Sequence, residues 1–171
     1  MTLIEHIEVG SGGAASIVLD NIPADYTDLY ILISGRTGGS GDFRMYLKFN
    51  DTNITSSRNL YGTGSSVGSN SYTNGAIGFG VGAADQTAST FGSISLYVPN
   101  YLSSNDKSVS LDGVTENNAT GAYHSISAGL STVSSAITKV TLVPTSGSWV
   151  QYSSATLYGI TAGSDGTTTV S

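Results

Sequence analysis

Apolar and polar residues alternate singly over much of this chain, and clusters of Gly, Pro, Asn, Asp and Ser interrupt the alternation every few residues. Period two is the signature of strands with one buried face, because successive side chains point to opposite sides of the pleat. From Phe43 to Phe49, Phe43, Met45, Leu47 and Phe49 share one face, while Arg44, Tyr46 and Lys48 share the other. From His124 to Leu130, His124, Ile126, Ala128 and Leu130 oppose Ser125, Ser127 and Gly129, which predicts a core or sub-surface position for His124. Tyr30 to Ile33 is an apolar run after the turn Ile22-Pro23-Ala24-Asp25. Phe91 to Val98 and Ser108 to Val114 add strands with Ile94, Leu96, Val98, Val109 and Leu111 facing inward.

The two ends of the chain read as hairpins. Thr2 to Val9 and Ala15 to Leu19 flank Gly10, Ser11, Gly12 and Gly13, and glycine permits the positive φ of a tight turn. Ile137 to Ile160 reads as two strands folded onto each other, with Pro144 and Gly147 turning the chain. Gly62 to Gly75 reads as a long loop and Asp112 to Ala122 as a second one. About ten short strands and little or no helix predict an all-β antiparallel sandwich or barrel. Residues 1–161 form one domain in this reading, and 162–171, with only Val170 to bury, form a flexible tail or arm.

Composition narrows the partners. The chain has 171 residues, 39% hydrophobic but only 11% charged, so its surface must be polar through hydroxyls, amides and backbone. Twelve acidic against 6 basic residues give a formal charge of -6, which provides no electrostatic footprint for a nucleic acid. With no cysteine there is neither a disulfide framework nor a thiolate metal site. Glu5 and Glu8 stand where a cleaved leader needs a basic head and an apolar stretch, and no apolar run reaches membrane-spanning length.

Candidate chemistry is sparse. His6 and His124 are the two histidines, and neither sits beside other ligand types at metal spacing. The carboxylates Asp20, Asp25, Asp28, Asp42, Asp51, Asp106 and Asp112 fall mostly at predicted turns, where Asp bonds its own backbone, rather than as a glycosidase pair. Asn50-Asp51-Thr52-Asn53 could offer oxygens to a cation but lacks calcium-loop spacing. Gly78-Phe79-Gly80-Val81-Gly82 resembles a phosphate loop, yet no basic residue or helix start follows, so a glycine-rich strand is the better reading. No catalytic, cofactor-binding or metal residues are nominated. Among the ten tyrosines, Tyr61, Tyr72, Tyr101 and Tyr123 lie near turns or loops and are the candidate interface residues, since tyrosine offers contact area and a hydroxyl at low entropic cost.

Four landmark stretches stand in order: IPADYTDLYILISGR at Ile22 to Arg36, MYLKFND at Met45 to Asp51, YVPNYLSSNDKSVS at Tyr97 to Ser110, and AITKVTLVPTSGSWVQYSSATLYGI at Ala136 to Ile160. Together they resemble a family of small tailed-bacteriophage virion structural proteins. The shared pattern is an "N-I-P-x-x-Y" turn, an "F-N", a "Pro-Asn-Tyr … Lys" segment and a terminal "Leu-Tyr-Gly-Ile"; Asn70 to Gly82 departs from it. The resemblance implies a jelly-roll-like β-sandwich, no enzymatic residues and no cofactor. The expected role is that of a capsid decoration, or cement, protein on the virion surface that binds the major capsid protein and itself, as a homotrimer. The alternative is a tail- or head-fibre-associated protein recognising a host surface glycan. Neither nucleic acid nor membrane is an expected partner.

Overall fold

Single alternation becomes two antiparallel sheets packed face to face. The structure is a computed structural model that describes residues 1–41 and 43–161. Asp42 and the expected arm 162–171 lie outside the described residues. Among those described there are thirteen strands and no helix: β1 Thr2–Glu8, β2 Ile17–Leu19, β3 Asp28–Gly35, β4 Met45–Phe49, β5 Thr52–Asn53, β6 Ser56–Gly62, β7 Val67–Tyr72, β8 Ala76–Ile77, β9 Gly92–Val98, β10 Lys107–Glu116, β11 Ala122–Ser131, β12 Val140–Pro144 and β13 Ser154–Ile160. The large sheet has eight strands in the order β1-β13-β3-β9-β10-β11-β6-β7. The small one runs β2-β12-β4-β5, with β8 also on β4. The chain passes repeatedly from one sheet to the other, and the result is a β-sandwich.

The core lies between the sheets. Leu29, Ile31, Ile94, Leu96, Val98, Val109, Leu111 and Leu157 of the large sheet meet Ile17, Leu19, Met45, Leu47, Phe49, Val140 and Leu142 of the small one, all buried. Each such side chain contributes about 1.5–3 kcal/mol relative to exposure. Trp149 fills the crossing between β12 and β13, and its indole N–H donates to the Leu142 carbonyl at 3.0 Å.

The inward positions predicted for β4, β9 and β10 are observed, whereas several pairings differ. β1 pairs with β13 and β2 with β12, so the opening segments join different sheets instead of forming a hairpin. β12 and β13 likewise separate, the first pairing with β2 and β4 and the second with β1 and β3. Alternation reports which residues share a face, and partners are chosen by contacts remote in sequence. Of the predicted loop Gly62 to Gly75, Val67–Tyr72 is a strand paired along β6. Asp112 lies inside β10, which extends to Glu116, so that excursion shrinks to residues 117–121.

The inner side of β10 and β11 explains the remaining difference. The five-stranded sheet is too narrow to cover all of its partner, and residues 78–83 lie across the gap. Ser125 of β11 fastens this segment, its hydroxyl donating to the Phe79 carbonyl at 2.7 Å and accepting the Phe79 N–H at 3.0 Å. The approach is close: a Cβ on Gly113 would stand 2.0 Å from the Phe79 oxygen. The glycine-rich stretch is therefore an extended cover rather than a regular strand beyond β8. Ser125 and Ser127 face inward beneath it, and Gly129 faces inward against Val109, Ile54 and Ile77, places where only small residues fit. His124, Ile126, Ala128 and Leu130 consequently face solvent, the reverse of the predicted orientation.

Four stretches far apart in the chain, Ile22 to Arg36, Met45 to Asp51, Tyr97 to Ser110 and Ala136 to Ile160, fasten one another. The Tyr26 ring lies over Gly159, where a Cβ would come within 2.2 Å of the ring. The Tyr101 hydroxyl donates to the Pro23 carbonyl. Asn50 accepts the N–H groups of Thr138 (2.9 Å) and Lys139 (3.2 Å) and donates to the Ala136 carbonyl at 2.8 Å. The Lys107 ammonium donates to the carbonyls of Ser103 (2.7 Å) and Val133 (3.2 Å). Burial lowers the pKa of this lysine, and the charge of Asp106 opposes that shift. These residues hold loops to the frame.

Candidate functional site

The four nominated tyrosines fall in three places. Tyr101 is fully buried, so it is a core residue and not part of a surface. Tyr72, half-buried on β7, carries the Arg44 guanidinium over its ring at 4.6 Å. Tyr61 meets Phe79 edge-on at 5.1 Å, and Tyr123 lies 6.3 Å from Phe43. Tyr61 and Tyr123 are brought together, lining with Phe43, Phe79 and His124 a recess of about 160 Å³.

Next to this recess the large sheet exposes apolar side chains. Leu60 and Ile126 stand opposite each other on β6 and β11, and Val67 begins β7 opposite Gly62. Val67 is 89% exposed, Leu60 58% and Ile126 48%. β7 is an outer strand of its sheet, with one row of backbone groups unpaired by another strand.

A second feature runs across the middle of the same outer face. Register places Tyr158, Tyr30 and Tyr97 side by side on β13, β3 and β9. The row continues as Ser110, Ala128 and Arg58 on β10, β11 and β6. The parallel row is Leu32, Ser95, Asp112, Ile126 and Leu60. Large residues at either side and small ones between form a trough of about 750 Å³.

Hydrogen bonds fix its charged and aromatic groups. The Tyr97 hydroxyl donates to Asp28 at 3.0 Å, and the second Asp28 oxygen accepts the Asn100 N–H at 2.8 Å. This bond, with burial and the Asp28 charge adding to it, holds the Tyr97 phenol above the ordinary tyrosine range. Asp112 pairs with His124 Nε2 at 2.9 Å. Arg58 donates to the Ser57 carbonyl at 2.9 Å.

Tyr30, Tyr97, Leu60 and Ile126 were not nominated from sequence, because the apolar side of a strand is normally the buried one. The available signal was the opposite side of β11: a file of Ser and Gly suits a close backbone approach better than it suits open solvent. The possible cation position resolves differently. Asn50 and Asp51, with φ of 47° and 66°, form a tight two-residue turn between β4 and β5, and Asp51 pairs with Lys139. Among the described residues no cluster of three or more His, Cys, Asp or Glu is placed to hold a metal ion. No protein family, curated protein or solved structure matches this chain.

Proposed function

We propose that the protein is a non-enzymatic structural component of a tailed-phage virion, a decoration protein bound to the outer shell that stabilises contacts between major capsid protein subunits. The observation that supports this reading is the apolar corner of Val67, Leu60 and Ile126 beside the open edge of β7. Contiguous exposed apolar residues are characteristic of protein contact surfaces, and an open edge strand can accept backbone hydrogen bonds from a partner. The resemblance of the four ordered stretches to virion proteins is the reason for taking the major capsid protein as that partner. Modest contacts repeated over a shell add through multivalency, so each copy opposes separation of the subunits it spans.

The test is stoichiometry and stability of intact particles. Quantitative mass spectrometry should find hundreds of copies per particle, and stripped particles should lose resistance to heat or salt. Val67→Asp should lower re-binding to stripped shells by about tenfold or more, since a carboxylate would be desolvated at the contact. A dozen or so copies located on the tail or fibres would replace this reading with a fibre-associated role.

A further inference from the structure

We propose that the trough on the outer face of the large sheet is a saccharide-binding site, holding about two or three sugar rings laid across β9, β10, β11 and β6. Three strand spacings of about 4.8 Å separate the Tyr97 strand from the Leu60 strand. Its volume of about 750 Å³ suits a small ligand. A pyranose has an apolar C–H face and a rim of hydroxyls, and the trough offers a counterpart to each. Tyr30 and Tyr97 present ring surface from one wall, and Leu60 and Ile126 present methyl groups from the other.

The polar counterpart is the decisive part. The hydroxyls of Tyr30, Ser95 and Ser110 make no hydrogen bond within the described residues. Asp112, which lines the trough, engages His124 through one oxygen and makes no hydrogen bond through the other within the described residues, and Arg58 brings further donors to the rim. A purely apolar partner would bury those hydroxyls without acceptors, at a net cost. A carboxylate from β10 and a guanidinium from β6, with the Ser95 and Ser110 hydroxyls on the floor, instead match vicinal sugar hydroxyls, which both donate and accept. Tyr97 is pre-positioned for stacking, because Asp28 holds its hydroxyl at 3.0 Å and so fixes the ring. The site uses the middle of the sheet and shares its Leu60 and Ile126 wall with the docking corner, so glycan binding is tested on the free chain.

The experiment is a glycan array of bacterial surface oligosaccharides and polysaccharides probed with the full chain, followed by titration of a retained oligosaccharide against variants. Wild type should retain at least one glycan. Ala128→Trp, which fills the floor from an exposed position, and Tyr97→Ala should each weaken binding by about tenfold or more, while Tyr97→Phe, which keeps the ring but loses its Asp28 anchor, should fall between wild type and Tyr97→Ala. Val67→Asp, outside the trough, should bind glycan like wild type while losing shell binding, which separates this inference from the docking corner. Thermal melts check folding; if Tyr97→Ala fails to fold, Ala128→Trp decides. Retention of no glycan, or binding unchanged by Ala128→Trp, overturns the proposal.

Discussion

A tyrosine beside a turn has two physical uses, and only its hydroxyl partner distinguishes them. Tyr101 follows the left-handed Asn100 and looks like a loop residue in sequence, yet its hydroxyl finds the Pro23 carbonyl and its ring joins the core. Tyr97 reads as the polar half of an alternating strand, and its hydroxyl finds Asp28. Because the folded-state pKa of Tyr97 is raised, the stability tied to its neutral phenol is complete below about pH 10, the unfolded value, and is lost as pH rises through the folded one. Asp28→Asn removes the carboxylate that causes the shift. NMR titration of the tyrosine ring carbons should show the Tyr97 midpoint moving down in that variant; an unmoved midpoint would mean that burial alone sets it.

At the scale of elements, β11 shows what alternation cannot decide. Its two sides were correctly separated by sequence, but the side with Ile126 and Leu130 faces solvent because residues 78–83 cover the other. That cover requires near-contact of backbones, so Gly113 tolerates no side chain. Gly113→Val should destabilise the fold by about 3 kcal/mol, because the branched side chain would force the Phe79 segment away. Ser110→Ala, three residues earlier on the exposed side of β10, should leave denaturant midpoints unchanged. Chemical denaturation of both variants checks this; a midpoint for Gly113→Val equal to wild type would show that the cover is loosely held. β7 was hidden in sequence for a related reason. Its Gly, Ser and Asn content has low strand propensity, and pairing with β6 overrides that local preference.

For the whole molecule, sheet edges and surface chemistry set the assembly that can form. β1 and β7 are the outer strands of the large sheet, and the apolar corner adjoins the second of them. A patch on one copy that meets a different patch on the next closes into a ring when the rotation permits, and three copies would match a local three-fold position on a shell. We therefore expect light scattering to give three times the chain mass of 17.5 kDa at micromolar concentration. A monomer mass under those conditions would remove the trimer and leave shell docking to single copies. The sequence by itself determined that the chain is all-β, where most strands lie and which residues share a face, because these follow from a two-residue period written locally. Only the tertiary structure decided which strands pair, which side of β11 is buried and that three tyrosines from β3, β9 and β13 stand in one row. Those outcomes depend on register between segments far apart in the chain and on what the narrower sheet leaves uncovered, and neither is encoded in any single stretch.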